Sequence, residues 1–342
     1  MRFPGADIQD HGGDLSQARA LFPDAPEPWI DLSTGVNPHH YRLFNPSANA
    51  LTRLPEVSDV LRLQSIAASA YGAPSAAHVV AAPGTQILLP RVAALVAPGR
   101  ARVLGPTYAE HARALGLAGH AVEEVSAFED LFDADIAVVV NPNNPDGRIV
   151  PRQNLRRLAL ALGQRRGLLV VDEAFMDVGP QEQAVDGDCA DLSIVVLRSF
   201  GKFFGLAGLR LGFALAPMEI AQKLRFDLGP WAISGPALEY GARALADRQW
   251  QAEMRQRLCE DAAALDALLL QYGFEILGGT SLYRYLLTKQ APQLFSHLGR
   301  RGVWTRRFDA QPRALRMGLP ADPPAFARLE QALLSFAREA GG

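Results

Sequence analysis

The chain has 342 residues, of which 49% are hydrophobic and 20% are charged, a balance typical of a globular protein with a substantial core. Its 34 basic and 36 acidic residues are interspersed and give a net charge of −2, which argues against a nucleic-acid-binding or membrane-surface protein. Two cysteines, Cys189 and Cys259, exclude a disulfide framework and lack metal-ligand spacing. No apolar run reaches membrane-spanning length and the first residues lack a signal-peptide core, so we expect a cytoplasmic protein.

The first 45 residues are rich in glycine, proline, aspartate and histidine, and we interpret them as an irregular arm that contributes to a smaller domain. The segment His11-Gly12-Gly13 stands out in this arm. A second segment, residues 31–38, combines a short apolar start with a turn. We expect the backbone amides of Gly35 and Val36 in this turn to contact a substrate.

Helix and strand signals then alternate along the chain. Apolar residues at helical spacing predict helices at 57–71 (with Gly72 as its stop), 87–96, after Tyr108 as far as 118, and 153–164. Short apolar runs predict buried strands at 79–82, 102–104, 136–140, 168–171, 193–197 and 211–215. This alternation predicts an α/β fold with a mainly parallel sheet and helices on both faces, whose ligand lies beyond the carboxyl ends of the strands.

The composition changes near residue 228, where Pro230 and Gly235 mark a break. Beyond it the sequence predicts a long helical stretch at 236–271, short strands at 281–287, 303–305 and 314–317, and a last helix at 324–338. We therefore expect an arm over 1–45, a large domain over 46–228 and a smaller α+β domain over 229–342.

Chemically distinctive residues follow the predicted strands of the large domain. They are Gly84 with Thr85, Tyr108, Asn144, Asp172, and the segment from Ser199 to Lys202. Because the carboxyl ends of parallel strands meet at one edge of a sheet, we expect these residues to converge on one site.

The segment 199–210 holds a single lysine, Lys202, among glycines and phenylalanines. An ammonium in such surroundings is poorly hydrated, so the pKa of Lys202 should fall and its amine can form an imine with an aldehyde. Ser199 and Arg210 are residue types that bind phosphate, and a Gly-Thr turn such as Gly84-Thr85 offers backbone amides to an anion. The combination predicts pyridoxal phosphate, an aldehyde that carries a phosphate. Taken alone, the segment is equally compatible with a loop lysine in a glycine-rich turn.

Pyridoxal phosphate also needs a carboxylate at its pyridine nitrogen, so that the ring can accept the electrons of a carbanion. Asp172 is the candidate, with a strand-end capping role as its alternative. Asn144 can hold the phenolic oxygen of the ring. Tyr108 can cover the ring face, although an aromatic at the rim of a sheet is also common.

Four motifs in this order resemble those of the fold-type I pyridoxal-phosphate enzymes of the class I and II aminotransferase superfamily, over nearly the whole chain. They are Asn141–Gly147 (NPNNPDG), Asp172–Phe175 (DEAF), Ser199–Lys202 (SFGK) and Gly208–Gly212 (GLRLG). The resemblance implies a type I large domain, a homodimer with sites near the interface, and Lys202, Asp172 and Tyr108 as catalytic residues. The cofactor contacts that it implies are Gly84, Thr85, Tyr108, Asn144, Asp172, Ser199, Lys202 and Arg210.

Within the superfamily, the His11-Gly12-Gly13 arm, the stretch Asp172–Asp177 and the short chain are similar to the threonine-phosphate decarboxylases of cobalamin biosynthesis. This resemblance implies the decarboxylation of L-threonine O-3-phosphate, a phosphorylated amino acid, to (R)-1-amino-2-propanol O-2-phosphate and carbon dioxide. Arg316 matches the arginine that binds the substrate carboxylate. We expect His11 and Arg306, with Arg307 as a further candidate, to bind the substrate phosphate. The full set of expected substrate contacts is His11, Gly35, Val36, Asn144, Arg306 and Arg316.

Two positions depart from the pattern of the aminotransferase relatives. Phe175 stands where histidinol-phosphate aminotransferases usually have a tyrosine that bonds the phenolic oxygen, and Leu54 stands near a tyrosine that often reaches the neighbouring subunit's cofactor phosphate. A histidinol-phosphate or related aminotransferase is the first alternative, because both reactions start from the same cofactor-bound substrate. A non-catalytic scaffold in corrin assembly is the second, although the site residues are intact. A dinucleotide-binding dehydrogenase is disfavoured, since no Gly-x-Gly-x-x-Gly follows the first strand.

Overall fold

The computed structural model describes residues 11–340, so residues 1–10 of the expected arm and residues 341–342 of the expected small domain lie outside the described residues. The helices of the described chain are α1 Leu15–Leu21, α2 Ala48–Thr52, α3 Val57–Tyr71, α4 Leu89–Ala93, α5 Glu110–Leu117, α6 Arg152–Gly163, α7 Phe200–Phe203, α8 Met218–Leu228, α9 Gly235–Ala246, α10 Arg248–Gln271, α11 Ala291–Gly299 and α12 Pro323–Ala340. Its strands are β1 Ile30–Asp31, β2 Val79–Ala82, β3 Arg100–Leu104, β4 Ala121–Val125, β5 Ile136–Val140, β6 Leu168–Asp172, β7 Ile194–Ser199, β8 Gly212–Leu215, β9 Glu275–Thr280, β10 Tyr283–Leu287, β11 Val303–Trp304, β12 Arg306–Arg307 and β13 Ala314–Gly318.

These elements form two compact units. One unit spans His40–Ala252, and the other joins the residues up to His39 with those from Glu253 onward. The boundary between Ala252 and Glu253 lies further along the chain than the expected boundary at 228, because α9 packs against α3 and α2. The Ser47 N–H, which precedes α2, also donates to Glu239 Oε2 in α9 at 3.0 Å. The division into an arm and two domains at 45 and 228 stays a prediction.

The unit His40–Ala252 is built on a seven-stranded sheet in the order β2-β8-β7-β6-β5-β3-β4. Every neighbouring pair is parallel except the two pairs made by β8, which is antiparallel to both β2 and β7. Helices flank the sheet, and β5, β6 and β7 are buried along their whole length, as their runs of valine, leucine and isoleucine predict. The predicted α/β fold with a mainly parallel sheet is confirmed.

Most of the elements that the sequence predicts lie where it places them, and the differences have local causes. The helix at 57–71 ends at Gly72, which takes the left-handed conformation with φ 79° as its C-cap. The helical stretch at 236–271 consists of two helices, because Asp247 interrupts it with φ −83° and ψ 75°. The sequence pattern does not predict β4, because it is an edge strand that pairs only with β3 and keeps several polar side chains exposed.

The unit that begins at Glu253 and includes the residues up to His39 holds a four-stranded antiparallel sheet in the order β12-β13-β10-β9. A parallel pair, β1 with β11, joins its N-terminal segment to the rest of the unit. Helices α11 and α12 pack against each other, and α11 lies against β13. None of the helices within residues 11–340 has both the length and the apolar character needed to cross a membrane.

Candidate active site

The expected site residues of the unit His40–Ala252 lie at one edge of its sheet. The carboxyl ends of β2, β3, β5, β6 and β7 point to this edge, since these strands are parallel to one another. Strand β8 runs the other way, so its first residue lies at the same edge. Arg210, which precedes β8 rather than following a strand, therefore reaches the edge as well.

Gly84, Thr85, Ser199 and Arg210 surround the start of β8. Gly212 is the register partner of Ala82 on one side and of Ser199 on the other. A Cβ atom placed on Gly212 would lie 2.7 Å from the Thr85 nitrogen, and one placed on Gly84 would lie 2.6 Å from Arg210 Nη2. Gly84 has φ +85°, and Arg210 itself takes the left-handed conformation with φ 53°. The resulting cradle of backbone amide, hydroxyl and guanidinium suits a phosphate.

Asp172 ends β6 and its carboxylate is held from two sides. The Ala174 N–H donates to Asp172 Oδ1 at 3.0 Å, and His111 Nε2 lies 2.8 Å from Asp172 Oδ2. Both side chains are buried. These two contacts fix the orientation of a carboxylate at the edge of the sheet, and they leave it able to face a protonated ring nitrogen.

Lys202 lies in the short helix α7, among aromatic side chains. Its Nζ atom is 5.8 Å from the centroid of the Phe175 ring. Phe200, Phe203 and Phe204 are all fully buried beside it in sequence, whereas Lys202 is only partly buried. One aromatic ring therefore lies near the Lys202 amine, and the phenylalanines next to Lys202 in sequence are buried.

Tyr108 and the turn after β5 are tied to this edge by side-chain hydrogen bonds. The Tyr108 hydroxyl donates to Gln86 Oε1 at 3.1 Å, next to the Gly84-Thr85 turn. The Thr107 hydroxyl donates to Asn143 Oδ1 at 2.6 Å. Asn144, which follows Asn143, is partly buried. The strand ends that carry Tyr108 and Asn144 are thus linked to each other and to the turn at Gly84 and Thr85.

A cluster of buried ionisable groups lies directly behind Asp172 and Ser199. Arg198 Nη1 lies 3.2 Å from Glu173 Oε2 and 3.6 Å from Asp186 Oδ2, and Arg198 Nη2 lies 3.2 Å from Asp177 Oδ1. Each of the four side chains is less than a tenth exposed. Burial, reinforced by the neighbouring Asp186 carboxylate, raises the pKa of Glu173 well above its ordinary value. Burial also raises the pKa of Asp186. One guanidinium therefore faces three carboxyl groups, and burial favours the protonated form of Glu173.

This cluster predicts that the unfolding free energy falls with rising pH. Above the ordinary pKa of Glu173 the unfolded chain releases a proton that the folded chain keeps, so stability is lost as the pH rises toward the raised pKa, by up to about 1.4 kcal/mol per pH unit for one proton. Charged or titratable groups around Glu173 and Asp186 include Arg198, Asp177, Tyr71 and Arg152. Urea unfolding at a series of pH values should show this slope in the wild type and a smaller one in Glu173→Gln. Parallel curves for the two proteins would contradict the assignment.

In the other unit, Arg316 and Arg306 are direct register partners on the neighbouring strands β13 and β12. Arg316 is buried, and its Nη2 donates to the Ser33 carbonyl oxygen at 2.7 Å. Burial, together with repulsion from Arg306, lowers the pKa of Arg316 to about 10. Like charges directly opposite on a sheet are unfavourable, so an anion bound at this pair would be stabilising.

The segment that begins at His11 packs onto the same part of this unit. The Gly13 N–H donates to Ser33 Oγ at 2.7 Å, and the Ser33 hydroxyl donates to Asp31 Oδ1 at 2.6 Å. Gly35 and Val36 follow, the first buried and the second partly buried. A cavity of about 70 Å³ is lined by His11, Gly12, Gln17, Leu21, Ser33, Phe295, Trp304, Thr305, Arg306, Arg307 and Asp309. Since a water needs about 10–15 Å³ in this measure, the cavity has room for about five non-hydrogen atoms, the size of a phosphate.

Two residues of the site, His111 and Arg198, were not predicted from the sequence. His111 follows Tyr108 by three residues, a spacing that places both on one face of a helical turn, so the sequence contained a signal for it. Arg198 interrupts an otherwise apolar strand, which is the sign of a buried and paired charge. The carboxyl partners Asp177 and Asp186 lie in short 3-10 helices and carry no comparable signal.

Comparison with known proteins shows the following. The model of the family described as aminotransferase class I and II matches residues 62–328. A threonine-phosphate decarboxylase of Pseudomonas aeruginosa is 42% identical over 331 residues, which cover 96% of this chain and 98% of that protein. A threonine-phosphate decarboxylase of Sinorhizobium sp. is 40% identical over 327 residues, which cover 94% of this chain and 97% of that protein.

The fold also resembles solved structures. Histidinol-phosphate aminotransferase from Sinorhizobium meliloti, in complex with pyridoxal-5'-phosphate, matches with a TM-score of 0.80 at 19% identity. The match covers 99% of this chain and 98% of that chain. At this level of identity the likeness concerns the fold alone.

Proposed function

The chain belongs to the aminotransferase class I and II family, and on this premise we propose that it is a threonine-phosphate decarboxylase. It converts L-threonine O-3-phosphate to (R)-1-amino-2-propanol O-2-phosphate and carbon dioxide, a step of cobalamin biosynthesis. The observation that carries the proposal is the identity of 42% and 40% to two threonine-phosphate decarboxylases over nearly the whole chain. The expected cofactor, pyridoxal phosphate, is that of the family.

The residues at the sheet edge fit this cofactor. The cradle formed by Gly84, Thr85, Ser199 and Arg210 offers the donors that a phosphate needs, and glycine is required where Arg210 approaches Gly84. Asp172, oriented by His111, offers a buried carboxylate for a protonated ring nitrogen. We assign Asn144 to the phenolic oxygen and Tyr108 to the ring face.

When bound, pyridoxal phosphate supplies an electron sink for the carbanion that forms as a bond to the substrate Cα breaks. We assign to Lys202 the covalent attachment of the cofactor and the delivery of a proton to Cα after carbon dioxide leaves. With the cofactor bound, the carboxyl group of Asp172 would face the ring nitrogen and favour its protonated form, since a carboxylate stabilises a neighbouring positive charge. His111 orients Asp172 and is a positioning residue.

The choice between decarboxylation and amino transfer depends on which bond at Cα is held perpendicular to the ring. We propose that Arg316 binds the substrate carboxylate and that His11 and Arg306 bind the substrate phosphate, with Arg307 as a further contact. The opposed arginines Arg306 and Arg316 support an anionic ligand, and the cavity at His11 has the size of a phosphate. Two such contacts fix the rotation of the substrate and thereby select the carboxylate as the leaving group.

The test is to incubate the holoenzyme with L-threonine O-3-phosphate in the absence of a 2-oxo acid. We expect release of carbon dioxide together with an equal amount of amino-propanol phosphate. Amino transfer from histidinol phosphate or threonine phosphate to 2-oxoglutarate, without gas release, would instead identify an aminotransferase and overturn the proposal.

We also propose that the protein is a homodimer; a cytoplasmic location stays a prediction from the sequence. Ten large apolar side chains of the unit His40–Ala252 are more than half exposed, and seven of them lie in two short segments, namely Leu43, Leu51, Leu54, Val57, Leu61, Phe226 and Trp231. Clusters of exposed apolar residues mark association surfaces. Light scattering should give twice the 37.0 kDa of one chain, and Leu54→Arg should shift the mass toward the monomer. A wild type of 37.0 kDa would contradict the dimer.

A further inference from the structure

The buried cluster of Arg198, Glu173, Asp177 and Asp186 has no part in the reaction as described. Its position in the chain is nevertheless informative, because Glu173 follows Asp172 directly and Arg198 directly precedes Ser199. The ends of β6 and β7 are paired in register, with Asp172 opposite Leu197, and the Glu173 N–H donates to the Leu197 carbonyl oxygen at 2.8 Å. The Arg198–Glu173 contact of 3.2 Å therefore joins the two strand ends that carry Asp172 and Ser199.

We propose that Arg198, together with its buried carboxyl partners, is a positioning residue for the cofactor: it sets the spacing between the end of β6, which presents Asp172, and the end of β7, which presents Ser199. The inference rests on the pyridoxal-phosphate dependence of the chain and not on its substrate. A rigid cofactor is held at its ring nitrogen and at its phosphate together only if these two protein groups keep a fixed separation.

The geometry of Arg198 supports this role. Its guanidinium is 2% exposed and stacks on the Tyr71 ring with Cζ 4.4 Å from the centroid, which fixes its plane. Glu173 is anchored independently of Arg198, because its Oε1 accepts from the Val185 N–H at 2.8 Å. A rigid guanidinium that bonds to an anchored carboxyl group resists sliding of one strand end past the other.

The cluster also reaches the segment that faces Lys202. Asp177, which contacts Arg198 Nη2 at 3.2 Å, lies two residues after Phe175. The Phe175 ring in turn lies 5.8 Å from Lys202 Nζ. Arg198 is thus connected through short, buried contacts to the segments that present Asp172, Ser199 and Phe175.

Two substitutions break the Arg198–Glu173 contact from opposite sides, and a third preserves it. Glu173→Ala removes the carboxyl group but leaves Arg198 paired with Asp177 and Asp186. Arg198→Lys replaces the guanidinium, whose two Nη atoms bond Glu173 and Asp177, by an amine with a single nitrogen. Glu173→Gln keeps the shape of the side chain and one acceptor oxygen, which can still accept from Arg198, whereas its NH2 group cannot accept from the Val185 N–H as Glu173 Oε1 does. Arg152→Lys serves as a matched control, since Arg152 lies near the same carboxyl groups but bonds Asp188, at 2.9 and 3.0 Å, and so joins α6 to a short 3-10 helix rather than the end of β6 to that of β7.

The experiment measures the pyridoxal-phosphate dissociation constant of each apoprotein and the thermal midpoints of the apo and holo forms. We expect the dissociation constant to rise roughly 10- to 100-fold in Glu173→Ala and Arg198→Lys, and to stay within about threefold in Glu173→Gln and Arg152→Lys. The gain in midpoint on adding cofactor should shrink in the first two variants only, because this gain reports affinity.

A purely structural role gives a different result. It would lower the apo and holo midpoints of Glu173→Ala by equal amounts, with an unchanged dissociation constant, and this outcome would overturn the proposal. A loss of affinity in Glu173→Gln as large as that in Glu173→Ala would also overturn it, because the preserved contact would then not matter. A wild type that fails to bind pyridoxal phosphate would instead refute the proposed function itself.

Discussion

Lys202→Ala is expected to abolish the reaction with threonine phosphate, with a loss of at least about 10³-fold in kcat, because no other amine takes over covalent attachment and proton delivery. Borohydride reduction of the holoenzyme, followed by mass spectrometry of its peptides, should place the cofactor on Lys202 in the wild type. The variant should carry no reducible adduct.

Lys223→Ala is the matched control for this substitution. Lys223 is an exposed lysine on α8 in the same unit, so its removal tests for non-specific labelling. This control should keep both the activity and the adduct on Lys202. An adduct on another lysine, or turnover that survives in Lys202→Ala, would refute the assignment of Lys202.

The approximate bounds of most strands of the large sheet follow from the sequence because the buried strands are continuous apolar runs that end in turn residues. The order of the strands in the sheet does not follow from it. The sequence also places Asp172, Asn144 and Tyr108 at one edge, since this requires only that their strands be parallel. Arg210 reaches the edge for a reason the sequence does not contain. It precedes a strand, and only the antiparallel direction of β8 brings it beside Gly84.

Contacts between residues distant in sequence are the part that sequence patterns do not predict. His111 and Asp172 are 61 residues apart, and their 2.8 Å contact depends on how α5 packs at the end of the sheet. The Arg198 cluster includes aspartates from two short 3-10 helices, and in the sequence these aspartates look like ordinary turn residues. The opposition of Arg306 and Arg316 depends on the register of β12 and β13, which no local pattern sets.

That register gives the second large expected effect. Arg316→Gln should reduce kcat/KM for threonine phosphate by about 10²- to 10³-fold. Removing a buried cation that pairs with a carboxylate costs roughly 2–5 kcal/mol of binding free energy. The pyridoxal-phosphate content of this variant should be unchanged. Steady-state kinetics and cofactor absorbance measure the two quantities. Arg313→Gln is the control, since Arg313 is an exposed cation on the same segment.

Arg316→Lys should behave almost as poorly as Arg316→Gln near neutral pH. The surroundings of Arg316 already lower the pKa of its guanidinium to about 10, from the highest ordinary pKa of any side chain. A lysine at this position starts about two pKa units lower and meets the same burial and the same repulsion from Arg306, so its amine loses charge. Activity of Arg316→Lys should therefore improve as the pH falls, whereas that of Arg316→Gln should not. Equal pH profiles for the two variants, or a wild-type kcat/KM in Arg316→Gln, would show that the charge at residue 316 does not bind the substrate carboxylate.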